Sequence, residues 1–156
     1  MQAKHLFTGA LLALAVGGAA AQQASYGHSI NLEAARKLAA AAEVEAHKLN
    51  ISVAISIVDT HGFPVFFEVL DDTQSASVNI AVQKARTAAM LRRPTKALED
   101  GVGGGRNALL SLPDTILIEG GEPIIVNGKV IGAIGISGGS SAQDGTIARG
   151  ALAATK

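Results

Sequence analysis

Apolar and polar positions follow two different periods along this chain, and the switches between them mark its elements. Leu32, Ala35, Leu38, Ala39, Ala42, Ala46 and Leu49 recur at steps of three and four. That spacing predicts a helix running to about Lys48, capped by Ser29 or Asn31, with a stripe of mostly alanine suited to close packing. Residues 51–58, "ISVAISIV", alternate instead. Ile51, Val53, Ile55 and Ile57 share one face, which predicts a half-buried strand. Asp59-Thr60-His61-Gly62 reads as a turn, and "FPVFFEVL" returns as a second strand with Pro64 at its entry. The helical period resumes through Val78, Ala81, Val82, Ala85, Ala89 and Met90 until Pro94 stops it. Thr95 is expected to cap a short helix through Glu99, followed by a flexible "GVGGG" segment. Residues 115–118, 123–126 and 129–136 read as three further strands, the last two joined by Asn127-Gly128, a strong two-residue hairpin signal. A final helix covers about 142–154. Hairpins with helices segregated between them predict an α+β domain on an antiparallel sheet.

The N-terminal segment obeys neither period. Lys4 and His5 precede an apolar run from Leu6 to Val16, and Ala19-Ala20-Ala21 supplies an A-x-A cleavage site. The run is too short to span a bilayer as a helix. Residues 1–21 are therefore expected to be a signal peptide, leaving residues 22–156 as one domain in the periplasm or secreted medium.

Composition narrows the chemistry. The 156 residues hold 13 basic and 13 acidic side chains and no cysteine. Loss of Lys4 would leave the mature chain with one net negative charge. There is no basic stripe for nucleic acid, no disulfide framework and no thiolate metal site. With no Trp and few other aromatics, the core must be Ala, Val, Ile and Leu.

Gly135-Ile136-Ser137-Gly138-Gly139 fits the G-x-S-x-G pattern of a nucleophile elbow. Such an elbow needs a histidine later in the chain, and every histidine precedes Ser137. The glycines have a better account as backbone chemistry. Gly132 and Gly135 clear space on a strand, and Gly138-Gly139 permit positive φ before a helix capped by Ser140 or Ser141. Free N–H groups at that helix start would suit a carboxylate or phosphate, or simply close a tight turn. Gly103 to Ala108 matches G-x-G-x-x-A but follows a helical stretch, so it is no dinucleotide fingerprint. Lys84, Arg86, Arg92, Arg93 and Lys96 form a basic cluster that either faces solvent or neutralises a ligand's carboxylates. His47 ends the first helix and His61 sits in a turn; neither belongs to a zinc-spaced pattern, though one histidine suffices for a haem iron.

Three segments together resemble the GlcG/HbpS-like family of haem-binding proteins. They are "VAISIVDTHGFPVFF", "AVQKARTAAMLRRPT" and "GGEPIIVNGKVIGAIGISGGSSAQDGTIARGA". They carry a V-D-x-x-G turn, a K-A-x-T-A run with a later P-T, and the series G-G-x-P, G-x-x-x-G-x-G-x-S-G and Q-D-x-x-x-A, spanning about residues 30–152. One family feature is missing: Val69 stands where many members carry Arg before a Met-Asp-Gly segment. The resemblance implies a profilin-like α+β fold, a five-stranded antiparallel sheet with flanking helices, assembled as a homo-oligomer. It implies haem, or another small acidic ligand, as the bound molecule. Phe66 and Phe67 would supply an apolar slot, and Lys84, Arg86 and Arg93 cations for propionates. Thr87 and the glycine pairs Gly120-Gly121 and Gly138-Gly139 would complete the site. The axial ligand varies across the family, which leaves His47 and Thr95 as the candidates for iron, His47 slightly ahead. The implied role is scavenging, buffering or sensing accessory, with no catalytic residue assigned. An enzyme converting a small molecule or haem itself, and an accessory protein without haem, are the alternatives.

Overall fold

Helix α1 (Leu32–Lys48) starts where the sequence places it: the Asn31 side chain accepts the Ala34 N–H at 2.9 Å. The computed structural model describes residues 23–155, so the expected signal peptide lies outside the described residues. Strand β1 (Ser25–Tyr26) precedes α1, and strands β2 (Ala54–Val58) and β3 (Pro64–Val69) follow it. Then come α2 (Ala76–Leu91), α3 (Thr95–Gly103), a 3₁₀ turn at Asn107–Ser111, β4 (Gly121–Val126), β5 (Lys129–Ser137) and α4 (Ser141–Ala154).

The sheet has five strands, as expected, but not the expected five. Strand β5 lies between β4 and β2, and β3 is paired on the far side of β2, all antiparallel. The fifth strand is β1, which runs parallel to the first residues of β5. The sheet is therefore mixed. Residues 115–118 form no strand, because the outer edge of β4 is already occupied. The Ile136 N–H donates to Gly120 O at 2.9 Å, and alternation then turns the backbone groups of Gly121 and Pro123 outward. Thr95 Oγ1 accepts the Gly121 N–H at 2.9 Å and lies 3.4 Å from Gly121 O. Pro123 has no N–H to offer a further strand.

The apolar stripes pack on both faces. Helices α1 and α4 cover Ile55, Ile57, Ile134 and Ile136 on one side. Helix α2 covers Val58 and Ala133 on the other with Ala85, Ala88 and Ala89. Strand β2 is consequently buried on both faces rather than half-buried. Small residues make the second layer possible. A Cβ at Gly135 would fall 2.1 Å from the Ala81 carbonyl oxygen, so α2 can approach only a glycine there.

Two local expectations change and one holds. Pro94 rather than Thr95 is the N-cap of α3, and that helix extends to Gly103, absorbing the start of "GVGGG". Gly138 and Gly139 do not adopt positive φ; a Cβ at Gly138 would fall 2.1 Å from Ser52 O, so close approach is what it permits. Ser140 caps α4 in a reciprocal box with Gln143.

Candidate functional site

The basic cluster does not act as one surface. Lys84 is 2 % exposed, donates to Asp144 Oδ2 at 2.7 Å and lies 3.1 Å from Ile136 O. Asp144 Oδ1 accepts the Gly139 N–H at 2.9 Å. Burial pushes the Asp144 carboxyl up from its ordinary range, opposed by Lys84 and by the Gly139 and Gly138 amides. The anion at the start of α4 is thus the chain's own side chain. Gly120, at φ +125°, leaves room for this pair; a Cβ there would lie 2.7 Å from Lys84 Nζ. A Cβ at Gly121 would meet Lys84 O at 2.3 Å. Thr87 and Thr95 are fully buried. Thr87 Oγ1 accepts the Ile116 N–H, and Thr95 holds Gly121.

These contacts correct most of the expected ligand set. Lys84, Thr87, Gly120, Gly121, Gly138 and Gly139 hold the chain to itself, and Thr95 has no path to an iron. The shared motifs prove to be complementary halves: the Lys of K-A-x-T-A pairs with the Asp of Q-D, and the Thr of P-T holds the second Gly of G-G-x-P. Ser137 is buried and donates to Ser77 Oγ at 3.2 Å, and among the described residues no imidazole is bonded to it. Phe66 and Phe67 do not form one slot. Phe66 packs against the α1 core, whereas Phe67 pairs with Ser56 on the opposite face and is exposed. Among the expected cations, Arg86 and Arg93 remain exposed.

The two histidine candidates sit in unlike surroundings. His47 opens on a cavity of about 320 Å³ shared with Glu43, Asp71 and Asp72. Its Nε2 lies 3.4 Å from Glu43 Oε1. That lining repels a dianionic ligand. His61 opens on a cleft of about 420 Å³ with Tyr26, Gly27, Thr60 and Met90. Asp59 Oδ1 accepts the His61 and Phe63 N–H groups at 2.8 and 2.9 Å, fixing the V-D-x-x-G turn. His61 Nδ1 lies 3.2 Å from Thr60 Oγ1, itself 2.9 Å from Ser29 Oγ. This chain of hydroxyls sets the ring and leaves Nε2 without a partner among the described residues.

The cleft's other walls come from elements that share no sequence motif. The Tyr26 hydroxyl reaches Ala89 O and Met90 O at 3.0 Å each, tying β1 to the C-terminus of α2. The Arg92 guanidinium lies 5.1 Å from the Tyr26 ring centroid and donates to Ala24 O. Tyr26 and Met90 were missed because one lies in a two-residue strand and the other fits a helix stripe. His61 carried the only readable signal, its place in the shared turn. A third depression, about 760 Å³, lies between β4 and the end of α4. Its one charged residue, Arg149, is engaged by Glu119 and Glu122 at 2.8 and 3.2 Å. Among the described residues no group of three His, Asp or Glu side chains is placed to hold a bare metal ion, and no helix is long and apolar enough to cross a membrane.

The sequence profile of the family described as "Haem degrading protein HbpS-like" matches residues 30–153, which carry β2 to β5 and the four helices up to the last residue of α4. The chain belongs to the HbpS-like family. An uncharacterized 15.0 kDa protein of the dhaT–dhaS intergenic region of Citrobacter freundii is 39 % identical over 128 residues, covering 80 % of this chain and 90 % of its own length. Protein GlcG of Escherichia coli strain K12 is 40 % identical over 108 residues, covering 69 % and 81 %. Among solved structures, the PduOC:heme complex superposes with a TM-score of 0.73 at 33 % identity, covering 81 % of this chain and 94 % of that one. The HbpS-like fold is therefore a mixed α+β sheet here, with the family's motifs placed as internal clasps.

Proposed function

We propose that this chain is an exported, self-associating haem-binding protein, and that His61 holds the iron over the Tyr26–Met90 cleft. Family membership and the haem in the PduOC structure support the ligand. The observation that carries the site is the His61 ring, held through Nδ1 with Nε2 unpartnered among the described residues, in the lining of a mostly apolar cleft. Haem would supply a Lewis-acidic iron, which the His61 imidazole would hold through one ring nitrogen. Here Thr60 and Ser29 orient that imidazole, while Tyr26 and Met90 offer the ring system an aromatic face and a thioether. Arg92 and Arg93, at the end of α2, supply positive charge for propionates. The acidic lining beside His47 favours His61 over that residue. Export is supported by the apolar run and Ala19-Ala20-Ala21. Mass spectrometry of exported protein is expected to find Gln22 at its N-terminus, and an intact Met1 would refute cleavage. Self-association is supported by a core built largely of alanine, which limits the apolar surface one small domain can bury.

A hemin titration of wild type, His61→Ala, His47→Ala and Thr95→Val tests the site. Only His61→Ala is expected to lose the histidine-ligated Soret spectrum. If His61→Ala keeps the wild-type spectrum and affinity, the ligand assignment is wrong. If wild type binds no hemin, the ligand is wrong as well.

A further inference from the structure

The cavity of about 760 Å³ between β4 and the end of α4 shares no lining residue with the His61 cleft. A space of that size holds a small molecule. Its walls are mostly aliphatic. Pairing of β4 with β5 skips Ile131 between Ile124 and Ile125, and beyond this bulge two successive side chains, Ile125 and Val126, are left exposed. Leu152 and Ala153 supply the α4 wall. The Thr155 hydroxyl at the far end is committed to Ala151 O at 3.0 Å. The remaining polar group is Arg149, whose side chain is half-exposed. Both of its carboxylate contacts, to Glu119 and Glu122, are made through Nη1. Its Nε and Nη2 donors form the other edge of the planar fork and have no partner among the described residues. An aliphatic cavity with one unfilled pair of donors suits an amphipath with an acceptor at its head.

The charge around the fork selects that acceptor. Glu119 and Glu122 are both buried, and they set two negative charges against the single positive one of Arg149. From α3, Glu99 adds a carboxylate on the Glu119 N–H, while Lys96 is paired with Asp100. An incoming carboxylate would bring one more anion beside Glu122, whose carboxyl burial already pushes up. A neutral carbonyl oxygen adds no charge and still accepts from the fork. We propose that this cavity is a binding site, separate from the haem cleft, for a small neutral molecule with an alkyl chain and a carbonyl head. The carbonyl sits on Arg149 Nε and Nη2, and the chain runs along Ile125, Val126 and Leu152. The glutamates behind Arg149 reject the corresponding acid.

A nuclear magnetic resonance titration of the mature chain with octanamide and with octanoate tests the site. Octanamide is expected to shift the Ile125, Val126 and Leu152 amides together with Arg149 Nε–H, and octanoate to bind at least about tenfold more weakly. Octanamide that moves none of these signals at millimolar concentration, or moves those of Tyr26 and Met90 instead, would overturn the site. Octanoate binding as tightly as octanamide would overturn the neutral head. Ile125→Thr with Val126→Thr keeps β-branched residues on the strand and is expected to weaken octanamide by about tenfold. Unchanged affinity in that variant would refute the chain's path. Glu122→Gln removes one charge and is expected to narrow the gap between octanoate and octanamide; a gap as wide as in wild type would refute the role of the glutamates. Shifts at Ile125 and Val126 that follow protein concentration without added amide would seat a second copy in the cavity and overturn the proposal.

Discussion

Lys84 and Asp144 show what one residue pair does in this fold. Each is 2 % exposed, they come from helices on opposite faces of the sheet, and the second partner of each is a backbone group of β5 or the β5–α4 corner. Taking two charges out of water is costly, and the attraction between them repays it only while both are present. Lys84→Ala is expected to destabilise the domain by about 3–5 kcal/mol in urea denaturation. Lys84→Met with Asp144→Asn leaves no charge and keeps an acceptor for Gly139, so it should recover most of that loss. A double variant no more stable than Lys84→Ala would contradict this account. Glu122 carries the pH signature. Burial holds its carboxyl above the usual carboxylate range, against the pull of Arg149. The folded form then binds the proton more tightly, so this group's contribution is whole below the ordinary value and is lost as pH rises through the raised one. Glu122→Gln should melt like wild type at the acid end and gain relative to it as pH climbs past that window. A constant difference across the range would exclude the mechanism. None of this could be read from the charges in sequence. Lys84 sits two residues from exposed Arg86 and looks like a solvated neighbour of it; its partner is 60 positions away.

At the scale of elements, periodicity located most of the fold and misjudged what lay between. The alanine stripe of α1, the Asn127-Gly128 hairpin and the Ser140 cap are local signals, and the structure repeats them. "TILI" has equally good strand composition, yet a strand needs a free ladder, and Thr95 already takes the place beside β4. A side chain thus competed with a strand, which no window along the sequence displays. Likewise Phe66 and Phe67 are adjacent in sequence but face opposite sides of the sheet, because side chains alternate across a strand. Thr95→Val would leave the buried Gly121 N–H without a partner, a loss of about 1–3 kcal/mol. Hydrogen exchange should speed at Gly121 first, with α3 loosening from β4. Unchanged exchange there would mean another group satisfies the strand edge.

Across the whole molecule, the proposed haem cleft depends on the residues nearest the expected cleavage point. Tyr26 is a wall of the cleft and binds the end of α2, although its own strand is two residues long and edges only β5. Tyr26→Ala is therefore expected to weaken hemin affinity by about tenfold or more while shifting the melting point little, since a half-exposed side chain contributes modestly to the core. Equal loss of both would make Tyr26 a fold residue instead. The family and its sheet were legible in the sequence because the shared glycines and prolines mark turns and close approaches. The cleft was not, since it joins β1, one turn and one helix end that share no motif.

The guarded edge of β4 has a last consequence for size. A sheet with two open edges can add copies without limit and grow into a filament. Here the hydroxyl of Thr95 and the ring of Pro123 act as a terminator on one side, so growth by strand addition can proceed only from the other. The same hydroxyl that fastens α3 thus also keeps further strands from adding along the β4 side of the sheet.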